Sequence, residues 1–373
     1  MKIAILSCFH PYRGGISQFN TTLFTELSKE HTVKAFNFKR QYPEILFPGK
    51  TQYVEQSGEK PQFDTLRILD TANPLTYLPT ARAIREFGPD MLIMRYWMPY
   101  FAPSLGFVAR HIGKECKIIS IMDNVIPHEQ HFFDKPLTRY FMKANNGFVT
   151  LCNAVKEDLL KIDPKAKCCV SPHPVYSNFG EKTEMERARK ALGIDPAKKT
   201  LLFFGLIREY KGLDILIEAF AGLDSSYQLV IAGEPYGSFD KYAQLIQKSG
   251  RKEDIHLFDR FIADDEVSKF FCASDLCVLP YRSATQSGIS AIAYHFDLPM
   301  VTTAVGGLPE AIGATGTGIV TEEITPEGII KAITNYFSDP STPQKMKKAI
   351  AAEKERLSWS TFCKNIINFY NTL

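Results

Sequence analysis

One alternation constrains this chain more than any other feature, and it runs twice. Short, almost wholly apolar segments at 3–8, 32–36, 91–94, 117–121, 147–151 and 168–170 are separated mostly by stretches of helical periodicity. Near-continuous apolar runs of this length read as strands buried on both faces, which is how parallel strands are buried. Alternation with helices predicts a doubly wound α/β arrangement. The pattern pauses at Ser171-Pro172-His173-Pro174-Val175-Tyr176 and a charged stretch over 181–190, which together read as a linker. It restarts with strands at 200–204, 228–232, 255–258, 276–279 and 300–303. A chain of 373 residues is too long for one ordinary core, so two α/β domains in tandem are expected. Residues 41–71 show weak periodicity and read as an irregular excursion. Residues 343–373 are helical in pattern, with a break near 358–360.

Composition excludes several classes. A net charge of +3 gives no electrostatic argument for nucleic acid. None of the eight cysteines forms a Cys-x-x-Cys pair, which fits reduced thiols in a cytosolic protein. Lys2 followed by a short apolar run reads as a first strand and not as a signal peptide. No apolar run approaches the length of a membrane span. A cytoplasmic protein is expected, with peripheral contact at the inner face of the membrane left open.

Chemistry concentrates in two stretches of the second half. In the first, the strand at 276–279 is closed by Pro280 and followed by the polar loop Tyr281-Arg282-Ser283-Ala284-Thr285-Gln286-Ser287. A helix then opens at Gly288-Ile289, with Ser283, Thr285 and Ser287 as hydroxyl residues suited to capping it. Ligands of open parallel sheets bind beyond the carboxyl ends of strands, and a helix start there offers free N–H groups to an anion. Ser287, Gly288 and Ile289 are therefore candidates to hold phosphate oxygens; an ordinary βαβ turn with a capping serine is the alternative. In the second stretch, Phe203-Phe204-Gly205-Leu206-Ile207-Arg208-Glu209-Tyr210-Lys211-Gly212 places Arg208 and Lys211 between a strand end and a helix start. A guanidinium fork and an ammonium there can neutralise a diphosphate, although two solvated surface cations would read the same.

The first half offers less. Gly14-Gly15 after strand one allows close backbone approach but is neither Gly-x-Gly-x-x-Gly nor a Walker loop. Asp123-Asn124-Val125-Ile126-Pro127-His128-Glu129 follows a strand end, so Asp123 and His128 are candidates to orient an acceptor hydroxyl. His128-Glu129-Gln130-His131 is not the zinc-protease motif, and no Asp-x-Asp triplet exists. No metal is expected.

Taken in order, Phe204-Gly205-x-x-Arg208-x-x-Lys211-Gly212, the 258–262 strand-loop with Asp264-Asp265-Glu266, Leu298-Pro299-Met300-Val301 and Gly306-Gly307-Leu308-Pro309-Glu310 resemble a family 4 glycosyltransferase of the GT-B type. The likeness covers most of the chain. It implies two Rossmann-like domains facing each other across a cleft. Residues 1–174 would bind the acceptor, 175–355 the nucleotide sugar, and 356–373 would form a helix returning to the first domain. It implies transfer from a UDP- or GDP-sugar, usually with retention, to a glycan, lipid-linked saccharide or small molecule, with no obligatory cofactor. It assigns Gly15, Arg208 and Lys211 to the donor diphosphate together with Ser287, Gly288 and Ile289, and puts Arg260 and Phe261 near the base. The chain departs from the family where paired glutamates usually stand: Ala284 and Ile292 occupy those places. Thr285 and Gln286 are then left to contact the sugar. The departure keeps in view a non-catalytic homologue that binds a nucleotide sugar or a partner transferase, and, further back, a sugar-nucleotide epimerase.

Overall fold

The computed structural model describes residues 1–43, 51–54, 63–126, 131–175 and 179–373. The chain begins with β1 (Lys2–Ser7), α1 (Gly15–Leu27), β2 (Thr32–Arg40), β3 (Thr65–Asp70), α2 (Tyr77–Phe87) and β4 (Met91–Tyr96). It continues with α3 (Ala102–Arg110), β5 (Lys117–Met122), α4 (Asp134–Met142), β6 (Gly147–Thr150), α5 (Asn153–Ile162) and β7 (Cys168–Val170). Next come α6 (Met185–Leu192), β8 (Lys199–Phe204), α7 (Leu213–Ala221), β9 (Tyr227–Ala232), α8 (Asp240–Lys248), β10 (Ile255–Phe258) and α9 (Asp264–Cys272). The chain closes with β11 (Leu276–Leu279), α10 (Gly288–His295), β12 (Met300–Thr303), β13 (Gly318–Thr321), α11 (Pro326–Ser338), α12 (Thr342–Arg356) and α13 (Trp359–Thr372). Two compact units result: residues 1–173 with 359–373, and residues 174–358.

In the first unit seven parallel strands run in the order β3-β2-β1-β4-β5-β6-β7. Alternate residues of β1 feed opposite layers: Ala4 and Leu6 join one core, Ile3 and Ile5 the other. That is why β1 reads as continuously apolar. The second layer is completed from the far end of the chain. Trp359, Phe362, Cys363 and Ile366 of α13 are buried with Phe19, Leu23 and Leu27 of α1. Phe19 meets the rings of Trp359 and Phe362 edge-on at 4.8 and 5.5 Å.

The second unit holds six parallel strands in the order β10-β9-β8-β11-β12-β13. Leu202, Phe204, Cys277 and Leu279 face one layer; Leu201, Phe203, Leu276 and Val278 face the other. Strand order reverses between β8 and β11, and such a switch point opens a crevice at the carboxyl ends of the strands.

Two edge strands were not expected from the sequence. β3 lies inside the stretch read as irregular, and its edge position leaves Leu66 and Arg67 exposed, so no continuous apolar run marks it. β13 is four half-buried residues on the opposite kind of edge.

Candidate functional site

The loop leaving β8 begins at Gly205, whose φ of 99° favours a residue without a side chain. A Cβ built there would lie 3.1 Å from Ile289 Cδ1 and 3.2 Å from Lys211 Nζ. The end of β8, the ammonium of Lys211 and the first turn of α10 therefore converge on one point. Arg208 lies on the same loop, its guanidinium stacked 4.2 Å over the Tyr236 ring and 6.0 Å from that of Tyr210. Lys211 Nζ sits 5.8 Å from the Tyr281 ring. Burial, then the nearby positive charge of Arg208, pushes the Lys211 ammonium down to about 8. Among the described residues neither cation has an ion-paired carboxylate. The acidic groups of this region are taken elsewhere: Arg282 grips Asp214 through two bonds of 2.7 and 2.9 Å, and Lys241 reaches Asp214 at 3.0 Å and Glu209 at 3.7 Å. Two cations side by side without a counter-charge are costly unless an anion arrives.

The start of α10 supplies the complement. Ser287 holds the N-cap position, but its side chain does not cap the helix. Its hydroxyl lies 3.3 Å from the Tyr281 hydroxyl instead, while Ser290 Oγ donates to Ser287 O at 2.6 Å. Ser287 thus does not supply the side-chain cap expected of it, and the N–H groups at the positive end of α10 face a ligand at Gly288 and Ile289. Thr285 and Gln286 are half-buried in the loop before it. That loop is backed by the Gly-Gly segment: Gly307 N donates to Thr285 O at 2.9 Å, and a Cβ on Gly306 would fall 1.7 Å from Ala284 O. Arg282 N donates to Tyr210 O at 2.7 Å, so the loops after β8 and β11 are tied to each other. Ile292 is buried in the core of the second unit and Ala284 packs, partly buried, against the same core; neither side chain carries a carboxylate.

Other singled-out residues stand apart from this cluster. Arg260 and Phe261 follow β10; Arg260 is fixed by a two-pronged ion pair to Glu266 at 2.7 and 2.8 Å, and Phe261 is exposed. In the first unit, Gly15 opens α1 and is exposed. Asp123 follows β5 and is buried, both of its oxygens held by Arg95 at 2.7 Å. Arg95 also stacks 3.8 Å over Phe19, and its Nη1 has no partner among the described residues. His128 lies outside the described residues. Sequence reasoning passed over Tyr281, Tyr236, Arg282 and Arg95. The partners of Tyr236, Arg282 and Arg95 are 28 to 68 residues away, and only the Arg282 position in a polar loop hinted at a role. Among the described residues no group of three His, Cys, Asp or Glu side chains could hold a metal, and no helix is long and apolar enough to cross a membrane.

Residues 184–353 match the family described as Glycosyl transferases group 1. Along the whole chain the fold is that of GT-B glycosyltransferases. It superposes on sucrose-phosphate synthase from Thermosynechococcus elongatus with a TM-score of 0.76 at 16% identity, covering 100% of this chain and 99% of that one. It also superposes on Anabaena Alr3699/HepE in complex with UDP, with a TM-score of 0.75 at 16% identity and complete coverage of both. The matched stretch lies within the second unit, so that unit is similar to group 1 glycosyltransferase domains. Among curated proteins, D-inositol 3-phosphate glycosyltransferase of Corynebacterium glutamicum (strain R) is 26% identical over 220 residues, 56% of this chain and 52% of that one. The chain spans about half the length of the curated relatives it matches.

Proposed function

We propose that the protein transfers a sugar from a nucleotide-diphosphate donor to an acceptor, with retention of configuration. The observation that carries this reading is the pair Arg208 and Lys211, unpaired with any described carboxylate and set against the uncapped start of α10 at a sheet switch point. Lys211, Arg208 and the N–H groups at Ser287, Gly288 and Ile289 bind the diphosphate, and they stabilise its charge as the bond to the sugar breaks. Thr285 and Gln286 contact the sugar, and Arg260 with Phe261 borders the base; the Glu266 pair holds Arg260 in one orientation. Asp123, with both oxygens on Arg95, serves as an orienting charge, which leaves His128 as the group nearest in kind to a general base. UDP is the first nucleotide to try, since a structural neighbour is described with it, and GDP the second. The acceptor is a glycan, a lipid-linked saccharide met at the membrane surface, or a small phosphorylated polyol like the one in the relatives' names.

The test is a thermal-shift screen of nucleoside diphosphates and their sugars, followed by product analysis with the sugar that binds. A ligand at a hundredfold its Kd stabilises by about 2.7 kcal/mol. Binding with slow donor hydrolysis supports the reading, and activity is expected to survive EDTA. Binding without any hydrolysis or transfer would favour the non-catalytic homologue that Ala284 and Ile292 bring to mind. An isomerised sugar nucleotide without acceptor would mean an epimerase.

A further inference from the structure

The turn into α4 and the outer side of that helix carry a pattern that the donor site does not use. Phe132 is 92% exposed and Phe133 44%, in a chain whose other phenylalanines are mostly buried. The inner face of α4 is ordinary core: Thr138, Phe141 and Met142 are buried. Outside it lie two stripes at four-residue spacing, which the helix repeat brings to one side each. Pro136 and Tyr140 form an exposed apolar stripe, with exposed Phe132 in the turn just before the helix; Lys135 and Arg139, continued by Lys143 at the C-cap, form an exposed basic one beside it. Arg110 of neighbouring α3 adds its guanidinium 3.8 Å over the Tyr140 ring. The acidic residue of this stretch, Asp134, is buried and accepts from His131 N at 2.7 Å, so it does not offset the outer charge. None of these four cations is ion-paired among the described residues. Exposed aromatic rings flanked by cations without a carboxylate partner are poorly suited to water and well suited to a headgroup region, where rings enter the acyl boundary and cations meet lipid phosphates.

We propose that this face of α4 docks the protein on an anionic phospholipid bilayer. Phe132 and Phe133 insert, and Lys135, Arg139, Lys143 and Arg110 lie against the phosphates. The proposal gives the membrane contact raised above a surface and a lipid chemistry, while the donor-site reading on the second unit stands or falls separately. Nucleic acid would meet the charges but has no need of Phe132 at the tip.

The experiment is co-sedimentation of the full chain with phosphatidylcholine vesicles, with and without phosphatidylglycerol. Binding is expected to the anionic vesicles alone and to fall steeply with added salt. Each Lys or Arg at the surface is worth about fivefold in partitioning, so Lys135→Glu with Arg139→Glu should cut binding by more than about 25-fold. Phe132→Ala with Phe133→Ala should cut it by about tenfold or more at low salt. All substitutions are at exposed positions; an unchanged melting temperature and an unchanged shift with the bound nucleotide confirm that each variant is folded. Absence of binding to anionic vesicles at low ionic strength overturns the proposal, as does binding indifferent to either double substitution. Equal capture by heparin and by vesicles, with no loss on removing the two phenylalanines, overturns it in favour of a general polyanion surface.

Discussion

At the scale of single residues, Lys211 is the most informative side chain. Its ammonium is held near a pKa of about 8 by burial and by Arg208, below that of an ordinary lysine. A bound diphosphate would restore the proton, so affinity should fall as pH rises through about 8. The empty protein should respond in the opposite sense. Between about 8 and the ordinary lysine value the unfolded chain holds a proton that the folded chain has released, so Lys211 contributes rising stability across that window. Comparing wild type with Lys211→Met isolates both trends, because the variant removes this titration and leaves the others. Titration calorimetry and thermal unfolding at pH values on either side of 8 would check them. Parallel curves for the two proteins would mean that Lys211 does not titrate there.

At the scale of elements, the loops after β8 and β11 act as a unit because Arg282 joins them. It binds Asp214 through its guanidinium and Tyr210 O through its own N–H. Arg282→Ala should cost roughly 1.5–3 kcal/mol and should weaken nucleotide binding as well, although Arg282 is not assigned to the ligand. A fall in melting temperature with unchanged affinity would show that the tie does not position the site. Gly306→Ala is expected to be harsher, since its Cβ would overlap Ala284 O at 1.7 Å and the loop carrying Thr285 must move. Weaker nucleotide binding by calorimetry checks that outcome. The elements themselves were largely legible. β1, β8, β9 and β11 are buried on both faces and so appear as unbroken apolar runs, and the strand-end positions of Arg208 and Ser287 followed from them. β3 was hidden because its edge position leaves Leu66 and Arg67 exposed and breaks the apolar run, and β13 because four half-buried residues leave no run to see. The ties made by Arg282, Tyr236 and Arg95 were invisible, because each depends on a partner distant in the chain and on the fold that brings it near.

At the scale of the molecule, the chain's end is part of its beginning. Ile366 of α13 is fully buried with α1 and β1, so Ile366→Ala should destabilise the first unit by about 2–5 kcal/mol. Denaturant unfolding followed by Trp359 fluorescence would report it, and nucleotide binding by the second unit should persist in the variant. What joins these scales is the claim that the switch point between β8 and β11 is an anion site built for a nucleotide diphosphate. Calorimetric titration of UDP, and then GDP, into wild type, Arg208→Ala and Lys211→Ala tests it most directly. The account predicts saturable binding to wild type by at least one of the two nucleotides, and a loss of about 1.5–3 kcal/mol, one to two orders of magnitude in Kd, in each variant. Wild-type binding that neither substitution weakens, or no binding of either nucleotide, would contradict it.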